Sequence, residues 1–201
     1  MRLQRILVSV ALGLAGRALA AQGAAWVVAP RYHSASNVTL FAGRIATRWL
    51  VAEELSVALH DNDWALAVGA GPRFQTPHAD ILAIAGPVVA TGNAWYAGVY
   101  IVPGLHADPL STTGTLELFF PITRGERFVY ELSHVRILAR MTGGFQGGVF
   151  YHLVKSADDP AEEEIGPSVR LRFAPGFTLT VDGAWGLRGQ PSEVVVTVQW
   201  G

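Results

Sequence analysis

The residues best suited by type and spacing to do chemistry are Glu131, Ser133 and His134, an acid, a hydroxyl and an imidazole within four positions. A nucleophile and its base must share a hydrogen bond. Successive side chains of a regular strand point to opposite faces, so Ser133 and His134 meet only if the backbone bulges between them. Three more histidines stand beside acids: His60 before Asp61 and Asp63, His78 before Asp80, and His106 before Asp108. Such rims could hold a divalent cation. None has the two-histidine spacing of a known metal site, and solvated strand ends are the plainer reading, so neither a metal nor a cofactor is implied. No nucleotide loop, zinc spacing or nucleophile elbow occurs. The acids at 158–164 read as a solvated charge run.

The most informative charges are Arg170 and Arg172, which alternate with Val169, Leu171 and Phe173 and so share one strand face. If that face is enclosed, the two guanidinium groups repel unless carboxylates answer them. Asp182, Glu117 and Glu131 lie on polar strand faces and are the available partners. An unpaired buried charge costs several kcal/mol, which favours a lumen closed by a network of these five residues over an open, charge-lined pore.

The elements that position these groups are strands. From residue 24 onward the dominant period is two, the signature of strands with two unlike faces. Phe177, Leu179, Val181 and Trp185 oppose Thr178, Thr180 and Asp182. Val194, Val196, Val198 and Trp200 oppose Val195, Thr197 and Gln199. Leu116, Leu118 and Phe120 oppose Thr115 and Glu117, and Tyr130 and Leu132 oppose Glu131 and Ser133. The phase then slips at Val135 and Ile137, which predicts a bulge near His134. Stretches 79–90 and 94–102 are apolar on both faces and take no orientation. Residues 48–59 allow a short amphipathic helix, although their neighbours favour a strand. Turn chemistry punctuates the chain at residues 34–37, 61–63, 91–93, 124–126, 175–176 and 189–191, and 105–113 and 156–166 read as longer connections. The count is about ten strands, with eight to twelve allowed. The expected fold is all-β, a closed antiparallel up-and-down transmembrane β-barrel.

A soluble barrel has the same period with its greasy face inward. Two features point to the membrane. Trp64 and Phe74, and Phe177 and Trp185, are spaced so that each pair could mark both borders of a hydrocarbon layer that about nine to eleven tilted residues cross; Trp200 joins them as an interface aromatic. The faces opposite the bulky residues are small or charged, as with Ala65, Ala67 and Gly69.

The closing segment Val194–Trp200 resembles the terminal strand of Gram-negative outer-membrane β-barrels as a class, which ends in Phe or Trp; Gly201 after the aromatic departs from that form. The resemblance implies an outer-membrane location, contact with outer-membrane lipid, and recognition of the last strand by the barrel-assembly machinery. His33, Ser36 and Asn37 are similar to the His-x-Ser-Asn motif of outer-membrane lipid A deacylases, with one residue more between His and Ser and a place early in the chain. Turn chemistry is the ordinary role of such a serine.

Residues 1–20 have the form of a cleaved signal peptide: Arg2 and Arg5, an apolar stretch from Ile6 to Gly16, and Ala18-Leu19-Ala20. Eleven apolar residues are too few to span a bilayer, which takes about 20. The barrel domain is then 21–201. Three of the 15 basic residues lie in the signal, leaving twelve against 16 acids. That balance, with no basic cluster, argues against nucleic acid. The chain contains no Cys, so packing and hydrogen bonds must hold it. The function expected is a structural or interaction role, with a protein partner left open, or a narrow pore. The rivals are a soluble periplasmic barrel for a small apolar ligand and an outer-membrane lipid-modifying hydrolase.

Overall fold

The computed structural model describes residues 25–34, 37–45, 48–58, 63–157 and 159–200. Residues 1–20, expected to be a signal peptide, and Ser36, His60 and Asp61 lie outside them. Twelve strands run in order: β1 (Ala25–His33), β2 (Asn37–Ile45), β3 (Trp49–Ala58), β4 (Trp64–Gln75), β5 (Ala79–Ala90), β6 (Ala94–Ala107), β7 (Leu110–Pro121), β8 (Val129–Thr142), β9 (Phe145–Ser156), β10 (Glu162–Ala174), β11 (Phe177–Gly186) and β12 (Glu193–Trp200). Every strand pairs antiparallel with its sequence neighbours, and β1 closes on β12.

Twelve strands, not ten, follow from segments whose polar residues face inward. His106, Ser111 and Thr113 look like loop composition, yet β6 reaches Ala107 and β7 starts at Leu110. Residues 105–113 are thus strand, a two-residue turn and strand. Glu162–Glu164, placed by their charge in a connection, open β10. Residues 49–58 are a strand, with Glu54 in register with Ala67 and Phe41.

The bulge is at His134, whose φ of 53° lies in the left-handed region. The register with β9 shifts between Leu132 and Val135, and that between β7 and β8 shifts across Thr113/Thr115. One end of the barrel carries two- and three-residue turns, and the other carries loops of up to seven residues. These are called the turn end and the loop end below. Short turns at one end and longer loops at the other are the usual asymmetry of outer-membrane barrels.

The bulky phase faces outward. Phe173 is 61% and Trp185 59% exposed, with Val169, Val181 and Val194 also open on the outside, while Asp182 on the other phase is 0% exposed. A soluble barrel needs the reverse arrangement. Outward aromatics gather near both borders: Trp64, Trp95, Phe120 and Trp185 at the loop end; Trp49, Phe74, Phe173, Phe177 and Trp200 at the turn end. Arg44 and Glu53 are diagonal neighbours on β2 and β3, with Arg44 buried.

Three Gly-Pro pairs mark lapses in the ladder. Proline cannot donate a ladder hydrogen bond. The register of β10 with β11 passes from Ile165↔Trp185 to Ser168↔Asp182, skipping Gly166-Pro167. The register of β4 with β5 skips Gly86-Pro87 and Gly71-Pro72 in the same way. A Cβ on Gly166 would lie 1.6 Å from the Gly183 carbonyl oxygen, one on Gly71 1.7 Å from that of Ala83, and one on Gly86 1.9 Å from that of Val68. Only glycine permits so close an approach.

Candidate functional site: the lumen

The inward phase builds three charged levels. Nearest the loops, His33 Nδ1 lies 2.8 Å from Glu193 Oε1. His152 Nε2 is 3.0 Å from Glu131, and its Nδ1 is 3.7 Å from Glu164. The His134 ring sits between the other two, 5.2 Å from His33 and 5.3 Å from His152 by ring centroids. These contacts put β1, β8, β9, β10 and β12 on one cluster, because their inward residues converge across the lumen.

Ser133 and His134 both enter the lumen because the bulge adds one residue to the inward phase. Ser133 Oγ is 2.5 Å from His134 Nδ1. The far nitrogen, Nε2, is buried and has no hydrogen-bond partner, so no acid orients the imidazole as a hydrolytic triad requires. The pair is enclosed, with His134 4% exposed, whereas an enzyme acting on membrane lipid needs its nucleophile where lipid reaches it. Among the described residues no group of three His, Asp or Glu is arranged to hold a metal ion. His78 and His106 stand at the turn end, in the β4–β5 turn and near the end of β6.

At mid-height Arg31 lies within electrostatic reach of Glu54, Glu117, Glu131 and Arg136. Arg31, Glu54, Tyr100, Glu117 and His134 border two cavities at once, one of about 240 Å³ toward the loop end and one of about 470 Å³ toward the turn end. They mark the level at which the two cavities meet, called the narrow level below.

Below it, Arg136 donates from Nε and Nη2 to the carboxylate of Asp182, at 3.0 and 2.5 Å. Arg136 also stacks over Phe150, 5.7 Å from the ring centroid. Arg170 turns to hydroxyls, Thr180 Oγ1 and Thr113 Oγ1, each at 3.3 Å. Arg172 lines the same cavity. Arg73 on β4 donates to Asp80 on β5 at 2.8 and 2.5 Å.

The five charges singled out in the sequence are therefore distributed over separate levels instead of forming one network. Glu117 and Glu131 stand at or above the narrow level, while Asp182, Arg170 and Arg172 stand below it. Asp182 answers Arg136, a residue the sequence left unassigned after the phase slip. Arg31, Glu54 and the His33–Glu193 pair were also missed; Arg31, His33 and Glu54 sit on strands whose other inward residues are largely small or apolar, such as Val27, Ala29, Leu50 and Ala52, and Glu193 stands at the very start of β12, before its alternation is established.

No family model matches the sequence, and no curated protein matches it. Solved structures do. The KdgM porin, solved in complex with disordered oligogalacturonate, superposes with a TM-score of 0.62 at 12% identity, covering 88% of this chain and 98% of that one. The NanC porin gives 0.59 at 12% identity, over 87% and 98%. The translocator domain of the autotransporter NalP from Neisseria meningitidis gives 0.50 at 10% identity, over 98% and 96%. The chain has the closed-barrel fold of the Gram-negative outer-membrane class.

Proposed function

We propose that the protein is a small outer-membrane pore for small solutes, exported by its signal segment and narrowed at the level of Arg31, Glu54 and Glu117. The observation that carries this reading is the pair of cavities meeting at that level. A barrel built only as a plugged scaffold would fill its lumen with side chains, as narrow barrels do; this one keeps two chambers that meet at a few charged groups. The porin folds it resembles are consistent with that role. Charged rings at a constriction set which ions pass, and three carboxylates facing Arg31 favour cations there.

Planar-bilayer recording tests the reading. The wild type should show a small, cation-preferring conductance; Arg31→Ala with Glu117→Ala should raise the conductance severalfold, and Glu54→Gln with Glu117→Gln should reduce the preference. A barrel that inserts but conducts in neither form is a plugged scaffold.

A further inference from the structure

The chamber below the narrow level has two unlike walls. On one side Leu50, Ala52 and Ile84 form a buried apolar cluster, with Phe41, Ile45 and Leu82 packed against it; all six line the chamber. On the other side stand Arg170 and Arg172 of β10 and the hydroxyls of Thr180 and Thr197. Strand order makes the two walls face each other, because β4, flanked by β3 and β5, is six strands from β10 in a ring of twelve.

The carboxylates nearest the cationic wall are engaged elsewhere, and Glu53 borders the chamber from β3, on the opposite side. Asp182, on the strand beside β10, gives its carboxylate to Arg136, and Asp80 gives its own to Arg73. Glu54 and Glu117 stand at the far end of the chamber around Arg31. Arg170 hydrogen-bonds to two neutral hydroxyls, with Asp182 within its electrostatic reach. Thr197 is 9% exposed, and its Oγ1 has no partner. A guanidinium fork matches a carboxylate in geometry as well as charge, and a buried hydroxyl without a partner is a further donor for the same anion. A bare anion would leave the facing apolar wall in contact with water, and a neutral apolar molecule would leave the arginines unanswered.

We propose that this chamber binds small carboxylates that carry an apolar body, with the carboxylate on Arg170 and Arg172 and the aryl or alkyl group against Leu50, Ile84 and Leu82. Its volume of about 470 Å³ falls in the range of small-molecule sites. The assignment stands on the chamber whether or not the passage conducts, so binding and conductance fail separately.

Calorimetric titration of the folded barrel in detergent, with empty-micelle blanks, tests it using three probes. Phenylacetate has both features, acetate lacks the apolar body, and benzyl alcohol lacks the charge. Phenylacetate should bind the wild type about tenfold or more tighter than either control, one tenfold step being about 1.4 kcal/mol. Arg170→Gln with Arg172→Gln should weaken phenylacetate binding by a similar factor while circular dichroism and heat-modified gel migration stay unchanged. Equal affinity for acetate would reduce the chamber to a plain anion site, and equal affinity for benzyl alcohol to an apolar pocket. Failure of phenylacetate to bind, or undiminished binding in the folded double variant, overturns the proposal. The three-probe comparison on the wild type decides it even where the double variant does not fold.

Discussion

Asp182 on β11 is fully enclosed and joins Arg136 on β8, three strands away, through two arginine nitrogens. The reach is possible because the inward residues between them are small where it matters: Ser168 is in register with Asp182, and Gly148 with Ser168. The pair braces one side of the barrel across its interior.

Removing one partner strands the other charge. Asp182→Ala should lower stability by about 3–5 kcal/mol, whereas Asp182→Leu combined with Arg136→Met should recover much of the loss. Urea unfolding of the barrel in lipid vesicles measures both. A single variant as stable as the wild type would mean that water already solvates this pair.

The two phases of β10 should respond oppositely to charge. Val169→Arg puts a guanidinium on the outward face near mid-strand and should cost about 2–4 kcal/mol in a bilayer. Arg170→Leu removes a group with two long bonds to hydroxyls and should cost less, about 1–2 kcal/mol. Heat-modified gel migration after refolding ranks them, and a reversed order would argue for a soluble barrel turned inside out.

The exposed tryptophans Trp49, Trp95, Trp185 and Trp200 should be quenched by brominated lipids. Bromine placed high on the acyl chain should act more strongly than bromine near the bilayer centre, because these residues border the hydrocarbon layer. Quenching that peaks at the centre would displace them from the borders.

Gly166→Ala should destabilise by at least about 1–3 kcal/mol, the usual cost of overpacking, since its Cβ would meet the Gly183 carbonyl oxygen at 1.6 Å. Gly125→Ala, at an open loop position with φ of 95°, is the control: it strains one residue without a collision and should leave the barrel's unfolding midpoint nearly unchanged.

How far the sequence could be read depended on what faced the lumen. Strands β10 to β12 alternate because most of their inward residues, among them Arg170, Arg172, Thr180, Asp182, Thr197 and Gln199, are polar, with Ala184 and Val195 the apolar exceptions, so their orientation and their outward Leu171, Leu179 and Trp185 were plain. Strands β3 and β5 line the apolar side of the inner chamber with Leu50, Ala52, Leu82 and Ile84, which erases the contrast between faces; hence the lost orientation, the helical alternative for 48–59 and the low strand count. The phase slip at Val135 did reveal the bulge at His134. The partner of Asp182 was hidden because it comes from a strand far along the chain, and alternation carries no information about distances across a lumen.

The Gly-Pro lapses lie on β4, β5 and β10, and β4 and β10 are diametrically opposed. The two seams of the wall with missing register pairs, β4–β5 and β10–β11, therefore stand across the lumen from each other, one beside the greasy side of the inner chamber and one beside its arginine-bearing side. At both seams the glycines let neighbouring backbones close the gap that the prolines leave in the ladder.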